Sequence, residues 1–236
     1  MARLHPSSVR AGSARSGFTL IEMLAVLIIV GLLLGISSVA LLRLGTTEGV
    51  RQGATALEST LGLARQHAIV QGERVYVLFM PPDQDFTNLG RLKTFAGRGY
   101  AAYAVNPRTP NEGRFLTEWN SLPMGVLFDY TSGRPNTPFA GTGPTTRGNV
   151  RLRRDGDDSA SPAMETRSFP ALRFRTTGAP FVLDGYRVYI TEGFTDIHRD
   201  TGQVSVEIRS GNRMEAVVRV APHTGVAYTE SYGLAP

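Results

Sequence analysis

The stretch Gly17-Phe18-Thr19-Leu20-Ile21-Glu22 lies between a basic leader and a long apolar run. Residues 1–16 contain three arginines and no acidic residue, and residues 23–42 contain no charged residue. A mostly apolar run of about twenty residues is long enough to cross a bilayer. Glu22 stands near the start of this run, where a carboxylate is costly unless it has a partner. The pattern predicts a membrane-spanning helix with a functional carboxylate near its N-terminus.

The run G-F-T-L-I-E, with its leader and apolar helix, resembles the processing site of type IV prepilins and type II secretion pseudopilins. The resemblance implies that a prepilin peptidase cuts between Gly17 and Phe18 and methylates the new N-terminus at Phe18. It also implies that Glu22 pairs, in a filament, with the α-amine of a neighbouring subunit, which would satisfy two buried charges together. The implied partners are the prepilin peptidase, other pilins or pseudopilins and the inner membrane.

Two simpler interpretations of the N-terminus remain open. An ordinary secretory signal peptide could end at Ser38-Val39-Ala40, a small-x-small cleavage site. A plain N-terminal anchor helix is the other possibility. Glu22 argues against the first, because the apolar region of a signal peptide gains nothing from a carboxylate. The second leaves Gly17, Phe18 and Glu22 without an explanation.

Length and composition are consistent with one exported domain behind the helix. The chain has 236 residues, and its net charge of +5 falls to +2 when the leader with its three arginines is removed. This charge is too small to imply nucleic acid by itself, and we do not expect nucleic acid to be a partner. The chain has no cysteine, so packing or a metal must stabilise the exported part without disulfides. Many type IV pilins carry a C-terminal disulfide, which favours a pseudopilin here.

The helix is predicted to continue beyond the membrane as far as Gln71. Between Val50 and Ala68, apolar residues recur every three or four positions, which indicates one apolar face of an amphipathic helix. Gln71-Gly72 is a helix stop. Gly45, Gly49 and Gly53 weaken helix propensity, so a bend or melted segment is expected at 43–53.

Short strand patterns separated by turn signals dominate after Glu73. They predict an α+β, pilin-like fold: a long N-terminal helix, with a transmembrane first half and an amphipathic second half, packed on a mostly antiparallel sheet. The expected domains are a cleaved leader 1–17, a transmembrane half 18–44 and a periplasmic domain 45–236, with a helix end 45–71 and a β domain 73–236. The predicted strands are 74–79, 100–105, 115–119, 126–130, 150–153, 171–175, 186–191, 203–208, 214–221 and 226–229, and loops are expected at 132–149 and 155–162.

The soluble half also resembles the minor pseudopilins of the GspH/FimT type. Leu63 to Ala68 followed by Gly72 is similar to their helix exit, Phe174 to Gly178 to their F-x-x-x-G turn, and 217–226 to their closing strand pair. Gly178 and Gly225 also suit ordinary hairpin turns with positive φ. Residues 84–170 go beyond what the short family domain needs.

No catalytic or cofactor constellation is visible, and we expect a structural protein rather than an enzyme, with no cofactor. The histidines are far apart, and no nucleophile elbow or phosphate-binding glycine loop is present. Asp155-Gly156-Asp157-Asp158 resembles part of a calcium loop, but Thr166 occupies the position of the bidentate glutamate in an EF-hand. A solvated acidic loop is the simpler interpretation.

The resemblance implies a minor pseudopilin of a type II secretion pseudopilus, which is assembled from the inner membrane to export folded proteins. It would be a single-pass inner-membrane protein with its C-terminal domain in the periplasm of a Gram-negative-type bacterium. The alternatives are a minor pilin of a type IV pilus and a FimT-like DNA-uptake component. FimT-like proteins carry G-R-x-R near the C-terminus, whereas the matching turn here is Gly225-Val226-Ala227-Tyr228, without arginine. An exported enzyme on a membrane stalk has no motif in its support.

Overall fold

The computed structural model of the chain describes residues 20–83, 86, 89–108, 113–131, 134–139, 146–153, 164–198, 203–209, 211 and 213–234. For residues 32–46, 146–149 and 153 only the backbone is described. The leader and the cleavage-site residues Gly17 and Phe18 lie outside the described residues.

The chain divides into two units, Met1–Arg43 and Leu44–Pro236. Helix α1 extends from Leu20 to Gln71, so the division falls within it. Residues 43–53 are helical throughout, and the melted segment expected there is not found. Within the described residues, no helix combines the length and the apolarity that a membrane crossing requires.

The apolar face predicted for the second half of α1 is confirmed. Leu57 and Leu61 are fully buried, whereas Ser59 between them is exposed. The spacing of three and four residues places these side chains on one side of the helix, where they cover apolar strand residues. The buried face consists of Val50, Ala54, Leu57, Leu61, Ala64 and Ala68.

The first sheet has the strand order β3-β2-β1-β7-β6, and β4 also pairs with β2. All its pairings are antiparallel. The central strand β1 occupies the segment that its alternating sequence predicts. The bounds are β1 Arg74–Phe79, β2 Gly99–Val105, β3 Gly113–Phe115, β4 Asn120–Ser121, β6 Thr146–Arg153 and β7 Met164–Phe174.

The second sheet has the order β11-β10-β8-β5, and β9 pairs with the later part of β8. It is also antiparallel throughout. Its longest strand, β8, continues well past the predicted end at Thr191, because β9 supplies a further partner strand there. The bounds are β5 Val126–Phe128, β8 Tyr186–Ile197, β9 Val204–Ile208, β10 Met214–Val220 and β11 Ala227–Leu234.

Two apolar clusters stabilise the second unit. The larger one joins the buried face of α1 to residues from both sheets, including Phe79, Phe128 and Phe174. The smaller one covers the opposite face of the first sheet and includes Met80 and Phe169. A 3₁₀ helix, Gly90–Phe95, lies over this second face and contributes Leu92 and Phe95 to it.

Other elements also differ from the sequence prediction: β7 begins at Met164 and not at 171, and β11 continues to Leu234 and does not end at 229. The segment Phe115–Trp119 is not one strand: it contains the end of β3, and β4 begins only after it. The loop predicted for 132–149 ends earlier, because β6 begins at Thr146 and pairs with β7 along its whole length. The 3₁₀ helix Gly90–Phe95 was not predicted.

Candidate functional site

Glu22 lies in the first turn of α1, and its side chain is exposed. A carboxylate at this end of a helix interacts favourably with the partial positive charge of the helix N-terminus. Gly17 and Phe18, the predicted cleavage and methylation sites, lie outside the described residues. The structure therefore describes one of the three predicted site residues.

Large apolar side chains surround Glu22 on every side of the helix. Between Leu20 and Val30 their exposed fractions range from 43% to 84%. A helix that is apolar all round needs an apolar environment, either lipid or other helices. The exposed residues are Leu20, Ile21, Met23, Leu24, Val26, Leu27, Ile28, Ile29 and Val30.

A polar network fixes the point where α1 ends and β1 begins. Arg114, at β3, donates from both terminal nitrogens to the Glu73 carboxylate at 2.9 Å each, and His67 Nε2 lies 2.9 Å from Glu73 Oε2. Glu73 is buried. The hydrogen bonds from Arg114, followed by that from His67, lower the pKa of Glu73 below its usual value. The network joins the helix, its exit and a strand some forty residues further on.

The two glycine turns singled out from the sequence meet beside the last turns of α1. Gly178 and Gly225 have φ of 80° and 69°, as hairpin glycines should. A Cβ on Gly225 would lie 1.9 Å from the carbonyl oxygen of Gly178, and a Cβ on Gly178 would lie 2.6 Å from Ile69 Cδ1. Arg65 Nε also donates to the carbonyl oxygen of Thr224 at 2.6 Å. The contact between the two turns is long-range, and no local pattern of residues indicates it.

Strand β11 is joined to α1 by polar contacts. Thr229 Oγ1 donates to Glu58 Oε1 at 2.5 Å, and the Tyr232 hydroxyl donates to the carbonyl oxygen of Thr47 at 2.7 Å. On the same strand, Glu230 accepts from Arg187 and Arg219 at 2.7 Å each, and these contacts lower its pKa. The last strand is thus fixed both to its sheet and to the helix.

A second buried polar cluster was not predicted. Asp129 is fully buried, and it accepts hydrogen bonds from Thr131 and from Arg134 Nε. Arg134 also donates to Glu215 and lies over the ring of Tyr189, 4.6 Å from its centroid. Each buried carboxylate therefore has a cation, which is the condition for burying a charge without a large penalty.

The described part of the chain contains no group of three His, Asp or Glu side chains close enough together to hold a metal ion. The loop Asp155 to Asp158, considered for calcium, lies outside the described residues. Among the histidines, His67 contacts Glu73 and Arg114 as described above. The polar clusters that the structure does describe serve packing between elements.

Comparison with protein families explains the N-terminal pattern. The model described as "Prokaryotic N-terminal methylation motif" matches residues 12–38, a range that includes Gly17, Phe18 and Glu22. The model described as "Type II transport protein GspH" matches residues 53–165. The chain is a GspH-like pseudopilin. No curated protein and no solved structure gives a significant match.

The GspH match has two consequences for the sequence analysis. It includes residues 84–165, most of the stretch that we expected to lie beyond the family domain. It ends before the turn at Gly178 and the closing strands around Gly225, so the resemblance noted for those segments lies outside the matched range. The GspH-like match therefore rests on the second half of α1 and on strands β1 to β6.

Proposed function

We propose that this GspH-like chain is a minor pseudopilin of a type II secretion pseudopilus. The observation that carries the proposal is the order of the two family matches in one chain, a methylation motif at 12–38 and a GspH region at 53–165. The family implies assembly with other pilin-like subunits and processing by a prepilin peptidase. The role is structural, and assembly rather than catalysis is its chemistry.

The processing step falls between Gly17 and Phe18 in this proposal. Glycine suits the cut because it offers no side chain to obstruct the peptidase. Phe18 then becomes the methylated N-terminus, and Glu22 becomes the fifth residue of the mature chain. The arginines of the leader keep the N-terminus on the cytoplasmic side of the inner membrane. Residues 18–44 cross the membrane, and residues 45–236 lie in the periplasm.

Assembly uses the apolar first half of α1 and Glu22. The apolar side chains between Leu20 and Val30 support this step, because they are 43–84% exposed in the described part of the chain. In a filament they pack against the helices of neighbouring subunits. Glu22 then neutralises the α-amine of an adjacent subunit, since an unpaired charge in such a core would be strongly unfavourable.

Mass spectrometry of the protein purified from membranes tests the processing step. We expect an N-methylated terminus at Phe18, and the leader should remain attached in Gly17→Leu. A mature chain that starts at Leu41 would instead favour the signal-peptide interpretation.

Crosslinking into filaments tests the assembly step. Glu22→Ala should be processed normally but should lose incorporation, because a neighbour's amine remains unpaired at a cost on the order of 3–5 kcal/mol. Glu48→Ala is the control: it removes a glutamate whose carboxylate is paired with Arg51 on the same helix. Wild-type incorporation of Glu22→Ala would refute the role of Glu22.

A minor pilin of a type IV pilus is the second candidate, because the methylation motif is common to both machines. Gene neighbourhood distinguishes these two candidates. Neighbouring genes for a secretion ATPase, a secretin and other pseudopilins would indicate a secretion system, whereas pilus or competence genes would indicate a pilus.

A FimT-like DNA-uptake role predicts tight, salt-sensitive DNA binding. We expect only weak binding at physiological salt, in the range of about 10⁻⁴ M or weaker, because few phosphates could be neutralised at once.

A further inference from the structure

Three arginines lie together on one face of the first sheet, near the end of α1. Tyr76 in β1 is opposite Arg173 in β7, and Val75 is opposite Phe174. The next step of this register places Arg74 opposite Arg175. All three arginines therefore point to the same face as Tyr76, because side chains alternate along a strand. We call Arg74, Arg173 and Arg175 the arginine patch.

The arginine patch has no acidic partner in the described part of the chain. Ion pairs account for Arg114, Arg134, Arg187, Arg209 and Arg219, but none involves these three arginines. The Nε of Arg173 is buried and lacks a hydrogen-bond partner. Like charges directly opposite each other on neighbouring strands are destabilising. An arrangement that costs stability and leaves a buried donor unused fits a site for an anion.

Aromatic rings orient two of these guanidinium groups. Arg173 lies over the ring of Phe181 at 4.1 Å and near that of Tyr76 at 5.9 Å, and Arg175 lies 5.4 Å from the Phe181 centroid. Arg175 Nη2 donates to the carbonyl oxygen of Phe181 at 3.2 Å, and the other N–H groups of a stacked guanidinium lie in its own plane. Those N–H groups suit a carboxylate or a phosphate, which they can bind through two parallel hydrogen bonds.

The surroundings favour a peptide over a nucleic acid. Single-stranded nucleic acids bind by stacking bases on free aromatic faces, whereas Phe181 already carries guanidinium groups. An exposed apolar side chain accompanies the patch, because Phe181, which contacts two of its arginines, is 38% exposed. Arginine and aromatic residues beside apolar surface are typical of protein–protein contacts.

We propose that the arginine patch binds an acidic segment of a partner protein, in which carboxylate side chains accompany apolar ones. The carboxylates bind the edges of the Arg74, Arg173 and Arg175 guanidinium groups, and the apolar residues cover Phe181. This site is separate from the assembly segment around Glu22. A failure of the patch would therefore leave the proposed filament role untouched, and a failure of the Glu22 test would leave the patch untouched.

Fluorescence anisotropy with the full-length chain in detergent tests the proposal. The probe is a fluorescein-labelled decaglutamate at low salt, and decaglutamine and an oligothymidylate of matched length are the comparison probes. Arg74→Gln/Arg175→Gln should weaken decaglutamate binding by about tenfold or more, because both side chains lose their charge-assisted hydrogen bonds to carboxylates. Lys93→Gln/Arg108→Gln removes the same charge elsewhere and should weaken it by less than about twofold.

A conservative variant separates hydrogen-bond geometry from charge. Arg175→Lys keeps the charge but loses the paired donors, so it should still weaken binding by several-fold. Thermal unfolding checks the fold: Arg74→Gln/Arg175→Gln should melt at or above the wild-type temperature, since it removes like-charge repulsion. The proposal is overturned if decaglutamate does not bind, if both double variants weaken binding equally, or if the oligothymidylate binds more tightly than decaglutamate.

Discussion

The two halves of α1 differ both in composition and in exposure: 19 of the 25 residues from 20 to 44 are apolar, against 10 of the 27 residues from 45 to 71. Between Leu20 and Val30 the large apolar side chains are 43–84% exposed, whereas the apolar face from Val50 to Ala68 is at most 2% exposed. The second half alternates apolar and polar positions with the helical period, so it has one face to bury against the sheets. The first half has no polar face, so its apolar surface needs an apolar environment. The number of apolar residues and their spacing together separate the half that packs in the core from the half whose apolar side chains are exposed.

A new charge should give the largest effect, and it tests whether the two halves of α1 differ in burial. Leu61→Asp buries an unpaired carboxylate against both sheets and should destabilise the second unit by more than about 4 kcal/mol. Leu27→Asp, in the exposed first half of α1, should leave the unfolding of the second unit unchanged. Leu63→Asp is the matched control on the same helical turn, because Leu63 is 44% exposed. Chemical denaturation measures the free energy of unfolding of the three variants. If Leu61→Asp and Leu63→Asp had equal values, the face of α1 that contains Leu61 would not be the face that packs in the core.

The glycine contact beside the end of α1 should give the next largest effect. Gly225→Ala forces a side chain into a positive φ and places its Cβ against the Gly178 carbonyl oxygen, at an expected cost on the order of 3 kcal/mol. Gly211→Ala isolates the backbone contribution, because Gly211 also has a positive φ but open space around it. If thermal unfolding showed equal losses for both variants, the turn-to-turn contact would carry no stability.

The helix exit should respond to pH. Because Arg114 and His67 lower the folded-state pKa of Glu73, its contribution is complete above the unfolded-state value of about 4.3 and disappears as the pH falls through the folded-state pKa. Glu73→Gln should therefore cost about 1–2 kcal/mol at neutral pH, and the difference from wild type should shrink in acid. Glu48→Gln, at an exposed pair, serves as control. A loss that stayed constant from neutral to acidic pH would mean that the carboxylate charge is not what stabilises the exit.

Local signals in the sequence predicted much of the fold. The alternating pattern of Arg74–Phe79 gave β1 with its observed bounds, and Gln71-Gly72 marked the end of α1, because periodicity and glycine act over a few residues. The helical face from Val50 to Ala68 was also correct. These features depend on residues that are close together in the sequence.

Long-range pairing could not be predicted in the same way. The division into two sheets depends on which distant strands meet, such as β8 with β10 and β5, and alternation alone does not choose a partner. The Glu73–Arg114 pair and the Gly178–Gly225 contact bring together residues about forty to fifty positions apart. Of the candidate site, the motif around Gly17 and Phe18 could be identified only through its family resemblance, and the cleavage itself stays a prediction.

The smallest expected effect is a difference in stability between alanine substitutions at two glycines of α1, Gly53 and Gly62. We expected them to mark a bend or melted segment, but Gly53 lies against the core: a Cβ there would be 3.0 Å from Leu122 Cδ2 and 3.4 Å from Pro123 Cδ. Gly62 has open space around it. Gly62→Ala should therefore stabilise the second unit by about 0.5–1 kcal/mol, because alanine favours the helix and meets nothing.

Gly53→Ala gains the same helix propensity but crowds a buried leucine and a rigid proline ring, so it should melt at or below the wild-type temperature. Differential scanning calorimetry can resolve the contrast, since 1 kcal/mol corresponds to about 2–4 °C for a domain of this size. Equal stabilisation by both alanines would show that Gly53 is not required for the approach of the helix to residues 122–123. A gain for Gly62→Ala alone would mean that the close packing of α1 on this segment depends on the missing side chain at Gly53.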